Sequence, residues 1–311
     1  MPGQQQSPVC KTPVDASVAG GLRRQQLCLT LAVVLTAGCT SLPRYVPDLM
    51  RHDAPINLAG SRGLLSDERS RAILARLDRA GVASDIFQRH LALEEAIAGY
   101  PLTTGNKVVL LQDGPATYKA MLSTIAAARD HINMETYILD DDEVGQRFAQ
   151  ALIDAQSRGV QVNLIHDGVG TLDTPAAYFD RLRAAGVRVL EFNPVNPLVA
   201  RKAWELNERD HRKLLIVDGG IAFLGGINIS GVYSSSPLGH KNATRAEPLP
   251  WRDTDLQIEG PVVADLQKLF MGTWQSQDGG PLEARNYYPS PRPQGEQLVR
   301  VIGSSPDESY S

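Results

Sequence analysis

KVVLLQDGPATYKAMLSTIAAARDHINMETYILDDDEVGQRFAQALIDAQSRGVQVNLI, residues 107–165, decides the fold class. Residues 107–111, 132–139 and 160–165 are short apolar runs that read as strands, while 115–129 and 143–157 space their apolar residues as helices do. Strand, helix, strand, helix, strand is the order of an α/β domain, so a mixed β-sheet flanked by helices on both faces is expected.

The pattern continues outward on both sides. Residues 175–185 read as a helix and 187–192 as a strand. Two apolar runs, 214–217 and 221–224, flank Asp218-Gly219-Gly220 and predict a hairpin. Residues 256–259 make a further strand and 261–274 a helix with Pro261 at its first turn. Toward the N-terminus, Ser66 caps a helix to about Ala80, stopped by Gly81, and Ser84 caps another that ends before Gly99. After Pro281, Pro289, Pro291 and Pro293, residues 298–302 form one last strand-like piece.

With 311 residues, 42% hydrophobic and 21% charged, the chain can bury one large core or two smaller ones. Its net charge of -4 gives no general attraction to phosphate backbones, so nucleic acid is not an expected partner without a local basic patch. The three cysteines, Cys10, Cys28 and Cys39, lie near the N-terminus and staple nothing in the main domain. Arg23 and Arg24 precede an apolar stretch over 27–37, too short for the roughly 20 residues of a membrane span but fitting a secretory signal. Leu35-Thr36-Ala37-Gly38-Cys39 resembles the bacterial lipoprotein box, which implies cleavage before Cys39, lipidation of Cys39 and a membrane-anchored protein on the periplasmic side. The polar residues ahead of Arg23 suggest a true start downstream of Met1.

The chemistry is concentrated in HRKLLIVDGGIAFLGGIN, residues 211–228. Alternation along an extended strand puts His211 and Lys213 on one face and leaves Asp218 in the opposite phase or in the turn. An imidazole beside an ammonium suits attack on a phosphodiester, one as nucleophile and the other stabilising phosphoryl charge. Gly225 and Gly226 would let the backbone approach closely, and the Asn228 amide would donate to a phosphate oxygen.

The spacing H-x-K, four residues, D, six residues, G-G-x-N resembles the signature of the phospholipase D superfamily, and among its members bacterial cardiolipin synthase. The likeness runs from about Lys107 to Trp274 and includes Glu135, Tyr137 and Trp251-Arg252-Asp253. It implies a phosphohistidine intermediate on His211, phosphate held by Lys213 and Asn228, a structural Asp218, and Asp253 orienting the imidazole. Asp255 is the alternative to Asp253 for that task. His166, without a lysine two residues on, reads as a loop residue near the site. His52, His90, His131 and His240 lack metal-ligand spacing, so no metal and no cofactor are expected.

Most family members that process lipids carry two such motifs in one chain, whereas this sequence carries one. Residues 298–302 with Gly303-Ser304-Ser305-Pro306 look like the opening of a second half. Either the chain is a truncated two-half protein, or two copies pair as a homodimer. The expected organisation is an extension and signal over 1–38, a tether and helical lead-in over 39–100, a catalytic half-domain over 101–280, and a Pro-rich segment with the start of a second half over 281–311. The resemblance implies a phosphatidyltransferase or phosphodiesterase acting on a phosphatidylglycerol-like phospholipid. A homodimeric one-motif nuclease, or a half that binds lipid without turnover, are the rival readings.

Overall fold

Two strands, β4 (His131–Thr136) and β5 (Gln161–Asp167), are buried along their whole length and pair in parallel. The computed structural model describes residues 56, 58–79, 91, 94, 100–196, 208–234 and 251–303. The expected signal, Cys39 and the helix begun by Ser84 lie outside them or almost so.

Around that pair the chain adds β1 (Leu58–Gly60), β2 (Gly63–Leu64), α1 (Asp67–Arg79), β3 (Leu102–Leu111), α2 (Gly114–Ala127), α3 (Glu143–Ser157), α4 (Ala176–Ala184), β6 (Arg188–Phe192), β7 (Leu214–Val217), β8 (Ile221–Gly225), β9 (Asp255–Glu259), α5 (Val263–Ser276) and β10 (Gln297–Val299). The strands form one mixed sheet in the order β2-β1-β3-β9-β8-β7-β4-β5-β6, with β10 beside β3. β4, β5 and β6 run parallel, joined by helical crossovers, while β7, β8 and β9 are antiparallel neighbours. The expected α/β class is therefore the observed one.

Side-chain alternation divides the core in two. On one face Ile132, Met134, Val162, Leu164, Leu215 and Val217 pack under α2, α3 and α4, with Ile125, Phe148 and Leu182 closing the layer. On the other, Ile165, Leu214, Ile216 and Ile258 meet Leu266, Phe270 and Trp274 of α5. Burying an aliphatic side chain stabilises by about 1.5–3 kcal/mol, which makes these layers the main source of stability. The α5 face of β4 and β5 is not wholly apolar. Asn163 Nδ2 donates to Asn133 Oδ1 at 2.7 Å, and His131, Glu135 and Asp167 are buried near them.

Helix ends follow local chemistry. The Ser66 side chain accepts from Arg69 N, Asp113 from Ala116 N and Asp142 from Gly145 N, so α1, α2 and α3 each start on a capped N–H. Several boundaries differ from the sequence reading. β3 begins at Leu102, not 107, because Gly105 takes φ +92° inside the strand where Thr-Thr-Gly-Asn reads as a turn. β4 stops at Thr136 instead of reaching 139, and Leu139 makes a separate parallel bridge to Ile229. β5 runs on to Asp167, which makes His166 a strand residue and not part of a loop. The piece expected at 298–302 is present as the short β10, paired antiparallel with β3 through Gln297↔Asn106 and Val299↔Thr103.

Candidate active site

The β7–β8 hairpin sets the position of the motif. Asp218 and Gly219 have φ of 51° and 61°, and Gly220 N donates to Val217 O at 3.1 Å, as in a two-residue turn with both central residues left-handed. The Asp218 carboxylate accepts from the backbone N–H groups of Arg129, Asp130 and His131 at 2.8–3.2 Å. It thereby joins the turn to the start of β4, at the end of β7 away from Lys213, on the order of 15 Å along the strand.

His211 and Lys213 lie just ahead of β7, outside its ladder, and both meet Tyr137, just past β4. Its ring lies 4.6 Å from the His211 ring and 5.2 Å from Lys213 Nζ. Lys213 also donates to the His211 carbonyl at 2.7 Å. The imidazole is exposed, whereas Lys213 is 5% exposed. Burial lowers the lysine to about 8 despite the carboxylates of Asp210, Asp253, Asp255 and Asp167 around it. Burial and then the Lys213 charge lower His211 below its ordinary value, which favours the neutral, nucleophilic ring.

The segment carrying this pair is pinned by acids near the ends of β4 and β5. Asp210 N donates to Asp167 Oδ2 at 2.9 Å, and Asp210 Oδ1 accepts from Arg212 N and Nε at 3.1 and 2.9 Å. Arg212 Nε also lies 3.3 Å from Glu135 Oε1. One guanidinium thus serves two carboxyl groups. Burial, followed by the Asp210 charge, pushes Glu135 well above the usual carboxylate range. Asp210, Arg212 and Asp167 were not singled out from sequence. The signal was there: four charged residues and one histidine, Arg209-Asp210-His211-Arg212-Lys213, run directly into the buried strand Leu214–Val217 and have to pair on entry.

On the other arm, a Cβ on Gly226 would overlap the Asp253 carboxylate, and one on Gly225 would overlap Asp255 and Thr254 O. The space at both glycines is taken by side chains of the chain itself. Asp255 is the more buried acid, accepts from Ile227 N at 3.1 Å, and is pushed up to about 6 by burial. Among the described residues, Asp253 accepts from Thr254 N and lies against Gly226, with its charge felt by Lys213 and no hydrogen bond to His211. Asn228 is buried; its Oδ1 accepts from Ile138 N and its Nδ2 donates to Tyr233 Oη, both at 3.0 Å. The amide holds the loop after β4, and with it Tyr137, against the loop after β8.

His166 lies on the opposite, helix-covered face. Its ring stacks on Phe179 at 3.9 Å, its Nδ1 meets Thr171 Oγ1 at 2.8 Å, and burial lowers it to about 3. It is a neutral core residue. Beside the motif opens a cavity of about 470 Å³ whose wall includes His211, Arg212 and Lys213. A larger groove, about 970 Å³, lies between α1 and β3 and contains none of these residues. Among the described residues, no group of three or more His, Cys, Asp or Glu is placed to hold a metal ion, and no helix is long and apolar enough to cross a membrane.

Residues 121–235 match the family model of the PLD-like domain of cardiolipin synthase. The chain is 34% identical over 223 residues to the cardiolipin synthase of Geobacillus kaustophilus, covering 71% of this chain and 42% of that protein. It is 38% identical over 175 residues to cardiolipin synthase A of Pseudomonas aeruginosa PAO1, covering 56% of this chain and 34% of that one. The chain spans less than half the length of these relatives. Among solved structures it resembles Nuc, a phospholipase D family member from Salmonella typhimurium, at 18% identity and a TM-score of 0.40 over 55% of this chain and 95% of that one. NucT from Helicobacter pylori aligns at 17% identity and a TM-score of 0.41, over 55% of this chain and 97% of that one. Through the matched domain, which contains the whole H-x-K to G-G-x-N motif, the chain belongs to the phospholipase D superfamily, with a domain of the cardiolipin synthase kind.

Proposed function

We propose that the chain is a phospholipase D-type phosphatidyltransferase or phosphodiesterase acting on a phosphatidylglycerol-like phospholipid. The observation that carries this reading is the pairing of an exposed, neutral imidazole with a buried lysine around Tyr137, at the mouth of a cavity. His211 attacks phosphorus and a P–N bond forms as the P–O bond to the leaving alcohol breaks. Lys213 stabilises the charge that gathers on the phosphoryl oxygens. Water or a second alcohol then displaces the histidine and takes the phosphoryl group, restoring the imidazole. Asp253, within the field of Lys213, is the candidate for orienting His211 once substrate is bound, and Asn228 supports the site and offers an amide hydrogen to phosphate.

The leaving alkoxide needs a proton, and in this reading a second motif supplies it, from another copy of the chain or from a second half. No metal or cofactor takes part in these steps. Cys39, when lipidated, would hold the enzyme at the periplasmic surface where its substrate lies. A nuclease reading fits less well, because Asp167, Asp210, Asp253 and Asp255 surround the lysine and would meet a polyanion unfavourably.

The test is product analysis in phosphatidylglycerol micelles beside a His211→Ala control. Cardiolipin or phosphatidic acid formed by the intact protein and not by the control is the expected result. Equal product from both, or none from either at high protein concentration, would overturn the reading.

A further inference from the structure

The cavity beside the motif is lined by Leu214, Leu224, Ile258, Leu266, Leu269 and Val301, and no Phe, Tyr or Trp is among its wall residues. Its polar side chains are those of His211, Arg212 and Lys213, together with Arg300, which donates away from it to Leu91 O at 2.6 Å. The space is thus amphipathic: aliphatic along its walls, with the H-x-K residues at one side. Its volume falls within the roughly 300–1,000 Å³ of small-molecule sites. The ring nearest the cavity, Tyr137, is already in contact with His211 and Lys213, so the walls themselves offer a nucleobase no ring to stack on, whereas an alkyl chain needs only aliphatic contact.

We infer that this cavity receives an acyl chain of the phospholipid whose phosphate lies between His211 and Lys213, which makes Leu224 and Leu269 determinants of chain length. The inference rests on the phospholipid reading of the site, but it concerns binding and needs no turnover. It assigns the occupant by continuity. A molecule with phosphate at Lys213 has its apolar part directed either to solvent or into this space, and the second is favourable at every methylene.

The experiment is a calorimetric binding series on the full chain with single-chain phosphatidylglycerols bearing butyryl, hexanoyl and octanoyl groups, kept below micelle formation, beside chain-free glycerophosphoglycerol. Each two-carbon step should tighten binding on the order of tenfold, since each buried methylene contributes about three- to fourfold. Leu269→Trp, which fills the cavity, should weaken octanoyl binding at least tenfold and leave the chain-free headgroup unchanged. Leu269→Ala, which widens the cavity, should keep the series and serves as the check that substitution at 269 does not unfold the protein. A flat series in the unaltered protein, as a cavity filled by residues beyond Gly303 would give, overturns the inference, as does an unchanged series in Leu269→Trp. Because turnover is judged separately by the His211→Ala comparison, failure of the chain series and failure of the reaction can be told apart.

Discussion

At the residue scale, the proposed chemistry turns on Lys213. An ammonium that is 5% exposed and lowered to about 8 is held in a costly place, which persists because Asp210, Asp253, Asp255 and Asp167 offset part of the desolvation. His211 must be neutral to attack, and its own value is lowered by burial and by Lys213. The two requirements define a window in kcat/KM for the free enzyme. Activity should rise as pH climbs through the His211 value, below the usual 6.5 or so, and fall as pH passes about 8 and Lys213 loses its proton. In Lys213→Arg the guanidinium does not titrate in this range, so the alkaline fall should disappear from whatever activity remains. A pH–rate series on both proteins decides it: an alkaline limb unchanged in Lys213→Arg would remove Lys213 from that role.

At the scale of elements, the turn residue Asp218 and the acids that meet the motif divide structural from chemical work. Asp218 gathers three backbone N–H groups at the junction of α2 and β4 while its own φ is 51°. Asp218→Ala leaves those donors without their acceptor and puts a Cβ-bearing residue with no side-chain compensation at positive φ. A loss of roughly 2–3 kcal/mol follows, seen as a lower melting temperature. The protein that stays folded should keep both limbs of the pH profile, and a shifted limb would contradict the structural role. The hairpin around Asp218 was legible because Asp-Gly between two apolar runs has few other conformations open to it, and the α/β order was legible from apolar period alone. The pairing of His211 with Lys213 was legible from their spacing, but the ring from the β4 loop, distant in sequence, that both of them meet was not. Likewise Gly225 and Gly226 invite a reading as room for a ligand, when the space at their α-carbons is already occupied by Asp253 and Asp255, some 30 residues later. Local pattern carries φ, period and turn chemistry; it does not carry which distant side chain fills a gap. The same limit applies to His166, whose place at the end of β5 depends on pairing with Glu191.

At the scale of the whole molecule, one sheet presents one H-x-K pair, and the proposed reaction needs a proton donor as well as a nucleophile. The imidazole that attacks cannot in the same step protonate the departing alkoxide. The buried acids nearby are built into the fold: Glu135 and Asp210 flank Arg212, Asp167 holds Asp210 N together with Val169 N and Gly170 N, and Asp255 accepts from Ile227 N. His166 is stacked in the core on the far face of the sheet, and His131 is buried against Asp130 and Tyr287. Among the described residues, therefore, His211 is the one exposed imidazole, and in the proposed reaction the acid is the imidazole of another motif. For this chain by itself that means a second copy, so the rate per chain should depend on chain concentration. Below the dissociation constant of the pair, product formation from phosphatidylglycerol should approach second order in protein, and specific activity should drop on dilution in step with the dimer fraction seen by sedimentation. Specific activity that stays constant while the protein dissociates to monomers would show that a single copy supplies both roles, and the assignment of the acid would move to a group within this sheet.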